Sequence, residues 1–121
     1  MKPAFLMGLV ATILMASPAL SAENRCGWVE NPTPGNYWLT DRAGSWTILT
    51  QGSDVEPKGV DLLPDFSAGE FVKTNGSYGN ACACMSVVVD RQEKRITQIL
   101  SVKQLALSKC RNDRKLPKPA M

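Results

Sequence analysis

The chain has 121 residues, with 14 Lys or Arg against 11 Asp or Glu, a net charge of +3 and no histidine. Without an imidazole, no Ser-His-Asp or Cys-His nucleophile can be assembled, and no side chain is a ready general base near neutral pH. The length allows one small domain with a single modest core.

Met1-Lys2 gives a short positive start, and Ala4 to Ala16 is apolar apart from Gly8 and Thr12. Ser17-Pro18-Ala19-Leu20-Ser21-Ala22 follows, a helix break and then mostly small residues, which is the layout of a secretory signal peptide cleaved after Ala22 or Ser21. The apolar run is too short to span a bilayer comfortably, and polar Glu23-Asn24-Arg25 comes next. Cys26 lacks the small-residue context of a lipoprotein signal. The expectation is a soluble exported protein with residues 23–121 as its domain and no stable membrane insertion after cleavage. In an oxidising compartment Cys26, Cys82, Cys84 and Cys110 read as two disulfides, each contributing roughly 2–4 kcal/mol. A metal site is not expected from thiols with no histidine. Cys82-Ala83-Cys84 is one residue short of the usual redox spacing.

Residues 23–36 read as irregular, because Asn31-Pro32-Thr33-Pro34-Gly35-Asn36 admits neither a helix nor a central strand. Tyr37-Trp38-Leu39-Thr40 and Ser45-Trp46-Thr47-Ile48-Leu49-Thr50 flank a short polar turn and predict a hairpin. Residues 51–64, broken by Gly52, Pro57, Gly59 and Pro64, form either a mobile binding loop or an arm lying on the sheet. A strand is expected over 70–74, then a loop at Asn75-Gly76-Ser77-Tyr78-Gly79-Asn80, then strands over 81–90 and 95–102. The strand over 81–90 is apolar on both faces: Cys82, Cys84, Ser86 and Val88 on one, Ala83, Met85, Val87 and Val89 on the other. Something must therefore cover each side. Residues 103–110 predict a short helical turn with Leu105 and Leu107 tucked in, and 115–121 a loose tail.

Four cysteines allow three pairings. Placing Asp90 opposite Arg95 puts Cys84 against Ser101 and Cys82 against Lys103, so the chain leaves the last strand near Cys82. That favours Cys82–Cys110 and leaves Cys26–Cys84. The architecture expected is all-β: a five-stranded antiparallel sheet or small open barrel with two disulfides and a short C-terminal helical turn.

Charge is uneven along the chain. Residues 23–90 carry four basic and nine acidic groups, and residues 91–121 nine basic and two acidic. The basic third either faces an anionic partner or neutralises the acidic body. Trp28, Trp38 and Trp46 read chiefly as core, and Tyr37 as the exposed aromatic of its strand. Two loops are candidate binding elements. One offers Asn36 and Tyr37; the other offers Ser77 and Tyr78, on a hairpin loop that looks longer than closure needs. Asn75-Gly76-Ser77 is also a glycosylation sequon, meaningful only in a host with that machinery.

Arg25-Cys26-Gly27-Trp28, Asn31 to Asp41, Trp46-Thr47-Ile48, Gly79 to Cys84, Cys110-Arg111-Asn112-Asp113 and Leu116-Pro117 together resemble a family of small exported bacterial proteins classed as a domain of unknown function. The resemblance implies a bacterial, periplasmic, disulfide-bonded protein and brings no activity or site residues. A second likeness, in composition only, is to periplasmic inhibitors of C-type lysozyme, which insert a serine- and tyrosine-bearing loop into the lysozyme cleft. Lys73, Gly76, Ser77 and Tyr78 are similar, but their spacing departs from that family's pattern.

The function expected is a non-enzymatic periplasmic or secreted binding module, an inhibitor or protective protein engaging an envelope protein or wall glycan. Asn36, Tyr37, Ser77 and Tyr78 would stack and hydrogen-bond. It would be a monomer, without cofactor, metal or nucleic acid. The alternatives are a carboxylate-dependent enzyme on wall glycan, using Asp41 or Asp90, and a purely structural envelope protein. The enzyme needs two carboxyls across a cleft at roughly 5–10 Å.

Overall fold

The computed structural model describes residue 8 and residues 21–119; most of the expected leader lies outside the described residues. Six strands form one sheet: β1 (Glu23–Asn31), β2 (Tyr37–Asp41), β3 (Gly44–Leu49), β4 (Val72–Asn75), β5 (Tyr78–Asp90) and β6 (Arg95–Leu105), followed by a short helix α1 (Leu107–Arg111). The neighbour order is β1-β2-β3-β6-β5-β4, and β1 also pairs with β5. Five strands thus close into a ring, and β4 extends the sheet as a hairpin arm on the start of β5.

The five expected strands are all present, with shifted ends. The sixth, β1, replaces the irregular segment expected over 23–36, and it is what converts an open sheet into a closed one. Its nine residues pair antiparallel with β5 from Glu23↔Val87 to Asn31↔Gly79. The sheet is also not purely antiparallel, because β3 meets β6 in parallel at the single pair Thr47↔Arg95. That thin junction continues along the arm 50–64, where Lys58 donates its backbone N–H to Thr97 and its carbonyl accepts from Ile99. The arm is therefore a pseudo-strand on the edge of β6. Pro57 is buried, and Phe66, in a 3-10 turn at Phe66–Ala68, enters the core. Gln104 Nε2 holds that turn by donating to the carbonyls of Phe66 and Glu70.

Alternation along β5 divides the molecule into two cores. Ala81, Ala83, Met85 and Val87 face the ring interior with Val29, Leu39, Trp46, Ile48, Phe66, Ile96 and Ile99. Cys82 faces outward, with Trp28, Leu107, Cys110 and Leu116 packed over it. The disulfides are Cys26–Cys84, a direct cross-strand pair with Cα atoms 4.0 Å apart, and Cys82–Cys110, with Cα atoms 5.8 Å apart. This is the pairing the reach of the chain favours, although the register behind it slips. Asp90 does face Arg95, but bulges between Ser86/Val87 and Val88/Val89 put Cys84 opposite Lys103 and Cys82 opposite Leu105. β6 consequently runs to Leu105, and the helix starts at Leu107, later than expected. The tail is less loose than its prolines imply, since Leu116 is buried against the outer cluster.

Gly27 shows how closely β1 and β2 cross. A Cβ built there would lie 2.0 Å from the carbonyl oxygen of Thr40, inside any real contact distance. Only a glycine lets β1 reach β5 while lying on β2. Gly27→Ala is expected to lower unfolding stability by about 1–3 kcal/mol through overpacking. Trp46→Ala, which empties a core position only 2% exposed, should cost about 3–5 kcal/mol. Both are read from urea denaturation with the disulfides intact.

Candidate functional site

The ring has two ends of different chemistry. At one end Arg25 points inward from β1 and is mostly buried. Its guanidinium binds Asp41 at 2.7 Å and Glu23 at 2.6 Å and lies 4.0 Å from the centre of the Trp46 ring. The Lys94 ammonium lies 4.7 Å from the same centre. Asp41 also accepts from the Trp46 indole N–H and from the Ala43 amide of the β2–β3 turn. Glu23 further binds Arg91. Burial opposes the charged form of Arg25, but its bonds to Asp41 and Glu23 outweigh that penalty, and its pKa is raised. Arg25 reads as loop in the sequence because nothing local shows that a cation will cap the core; the neutralising acids come from 2 and 16 residues away.

At the other end the two candidate loops meet. Asn31↔Gly79 is the last β1–β5 pair, which carries the β1–β2 connection and the β4–β5 turn to the same rim. Asn75 Nδ2 donates to the Pro32 carbonyl at 3.3 Å, tying one loop to the other. Asn31, Tyr37 and Ser77 line a small recess of about 60 Å3 together with Asp65, Phe66 and Phe71. Burial raises the Tyr37 hydroxyl above its ordinary pKa, with Tyr78 and Asp65 adding to the effect.

The four predicted contact residues come to this rim in unequal states. Asn36 is consumed by structure. Its Nδ2 donates to Thr33 Oγ1, its Oδ1 accepts from the Gln51 amide, and its carbonyl accepts from Asn31 Nδ2. Tyr37 is not the exposed member of its strand: it turns inward, half-buried against the core. Its neighbour Trp38 lies half-buried on the outer surface rather than in the core, and donates to Glu30. The loop expected over 75–80 shrinks to a two-residue turn, Gly76-Ser77, with Gly76 at φ 57°. Surplus loop length is absent there. What stands out from the turn is Ser77, exposed at the tip, and Tyr78, half-buried beside it at the start of β5.

The carboxylates offered for catalysis also have structural partners. Asp41 is held by Arg25, Trp46 and Ala43, and Asp90 accepts from the amides of Gln92 and Glu93 in the β5–β6 turn. Glu30, 4% exposed, sits on the outer face of β1 and accepts from the Trp38 indole and the Thr40 hydroxyl. Thr40 in turn takes a hydrogen bond from Ser45, because its own proton is committed to Glu30. Sequence reading passes over Glu30 because a single acid ahead of a Pro-rich turn looks like surface. Among the described residues, no group of three or more His, Cys, Asp or Glu is placed to hold a metal ion.

The C-terminal third lies across the outer face. Arg42 of the β2–β3 turn binds Asp113 at 2.9 Å, pinning the segment after α1 to the barrel. Between this segment and the strands runs an open groove of about 540 Å3, floored by Trp28, Val72 and Asn80 and edged by Arg111, Arg114, Leu116 and Lys118. Sequence reading did not find it. Its parts come from β1, β4, β5 and the tail, and only the basic bias of the last 31 residues pointed towards it.

The family model described as "Protein of unknown function (DUF4087)" matches residues 20–117, and the chain belongs to this family. Comparison with curated proteins and with solved structures returned no match. Two disulfides, with no free cysteine among the described residues, mark a non-cytoplasmic protein.

The ion pairs give the protein a directional acid response. Hydrogen bonds from Arg91 and Arg25 hold the Glu23 carboxyl below its ordinary pKa, and Arg42 does the same for Asp113. A carboxyl depressed by folding contributes stability that is fully present above its unfolded value and is lost as pH falls through its folded value. The melting temperature should therefore fall below the ordinary carboxylate range, and Arg91→Gln with Arg42→Gln should flatten that acid limb. Thermal melts across the acid range check this; an unchanged slope in the double variant would remove these pairs from the account.

Proposed function

We propose that this DUF4087 protein is an exported, periplasmic, non-enzymatic binding module, released from a cleaved signal peptide, that engages an envelope protein with the rim formed by the 31–37 and 75–78 segments. The observation that carries this reading is the junction of two separate loops at one end of a closed, disulfide-stapled ring, fastened by the Asn75–Pro32 hydrogen bond. A rim of this kind binds without first having to be ordered, which lowers the entropic cost of association. Ser77 and Tyr78 supply a hydroxyl and a half-exposed ring at the tip, Tyr37 backs them from inside, and Asn36 keeps the neighbouring loop in shape. Tyrosine is the residue type that most often concentrates binding energy at such contacts. The Ser-Tyr composition is what a loop inserting into another protein's cleft would carry. The partnering of Asp41 and Asp90 within their own turns favours binding over acid–base work.

The test is capture of partners from a periplasmic extract on immobilised mature protein, identified by mass spectrometry and then titrated in purified form. Ser77→Ala with Tyr78→Ala should leave the chain folded, with a stability change of about 1 kcal/mol or less. The same double variant should weaken the purified partner by about 2 kcal/mol or more. Wild-type affinity in a folded double variant would mean that the rim is only a turn.

A further inference from the structure

The outer groove borders the outer core cluster and carries charge that neither the fold nor the rim uses. Its floor is apolar: Trp28 and Val72 from β1 and β4, with Leu116 closing one side. Three cations edge it, Arg111, Arg114 and Lys118, and none has an ion-pair partner among the described residues. The one acid on its lining, Asp113, is neutralised by Arg42. Glu30, the ladder partner of Asn80, accepts from Trp38 and Thr40 of β2.

Asn80, 2% exposed, lines the groove and lies opposite Glu30 on the β1–β5 ladder. An amide at this point presents both a donor and an acceptor to whatever enters.

We infer that the groove is a binding site for a small anionic amphiphile, a single alkyl chain ending in a carboxylate or phosphate. The alkyl chain lies on Trp28, Val72 and Leu116, Asn80 hydrogen-bonds near the head group, and Arg111, Arg114 and Lys118 neutralise it. The combination of an apolar floor with a few convergent polar groups, and a volume of about 540 Å3, is that of small-molecule pockets. Guanidinium groups recognise carboxylate and phosphate by the same charge-assisted bonds, so either head group is accepted. The Cys82–Cys110 disulfide and the Arg42–Asp113 pair fix α1 and the tail over the strands, so that the groove exists before the ligand arrives.

The probes are decanoate, decyl phosphate and uncharged decanol, each below its micellar range and titrated into the mature protein by calorimetry and nitrogen-proton NMR. Both anions should bind, at least tenfold more tightly than decanol, and should shift the Asn80 side-chain amide and the Trp28 indole while leaving Ser77 unmoved. Tight binding of only one anion assigns the head group and sustains the site. Arg111→Gln with Arg114→Gln, at exposed positions without ion pairs, should weaken both anions at least fivefold with an unchanged melting temperature. Asn80→Leu, which fills the same space without the amide, should weaken them in a protein that stays folded. Three results would overturn the proposal: no shift at millimolar anion, equal binding of decanol and decanoate, or a concentration-dependent dimer in sedimentation that shifts these same resonances. None of them bears on the rim.

Discussion

Strand β5 has to bury both of its faces, and the rest of the structure answers that demand. Ala81, Ala83, Met85 and Val87 need an interior, while Cys82 and its outer neighbours need a cover. The interior is made when β1 runs the length of β5 and joins the β2–β3 hairpin to it, closing the ring. The cover is made when α1 and the tail fold back and are fastened by Cys82–Cys110. Each large side chain buried on either face contributes about 1.5–3 kcal/mol, a substantial share of the stability of so small a domain. The disulfides matter because both join β5 to a chain end. Cys26 fixes the N-terminal strand beside it, and Cys110 fixes the C-terminal layer above it. Neither chain end can leave while its cystine is intact.

The same constraint explains what was legible in the sequence. The ten-residue run at 81–90 shows its two apolar faces directly, so the two-layer arrangement can be read from it, whereas the cystine pairing is favoured only through a register that slips by two residues. β1 was not legible. Its inward positions are Arg25, Gly27, Val29 and Asn31 rather than a row of apolar residues. Arg25 caps the end of the core against Trp46, Gly27 makes room for Thr40, and Asn31 sits on the rim. Each is chosen by a long-range contact that a local pattern cannot show. The slipped β5–β6 register has a comparable origin, since bulges leave little trace in a β-favouring run. The parallel touch of β3 on β6 was equally hidden, because it rests on one residue pair and a pseudo-strand drawn from an irregular arm.

The two candidate binding regions differ in how they became visible. The rim was anticipated as separate loops, and the ring joins them, though it shortens one and turns Tyr37 and Asn36 towards structural work. The groove was anticipated only as charge. Folding brings Arg111, Arg114 and Lys118 beside Trp28 and Asn80, which are distant in sequence. Both regions border the β1–β5 seam, one at its end and one on its outer face. Both proposed binding regions thus lie on the seam that closes the ring.

Native-state hydrogen exchange along that seam, with the disulfides intact, tests the central claim most directly. If closure of the ring by β1 and β5 is what the fold depends on, the hydrogen-bonded amides of Gly27 to Val29 and of Ala81 to Val87 should exchange only through global unfolding, with one common free energy. The amides of 51–56 and of Gly76-Ser77, outside the ladders, should exchange locally and much faster. Exchange of the β1 amides at a free energy well below that of β5 and β6 would show that the sheet survives with the ring open, and would contradict the account.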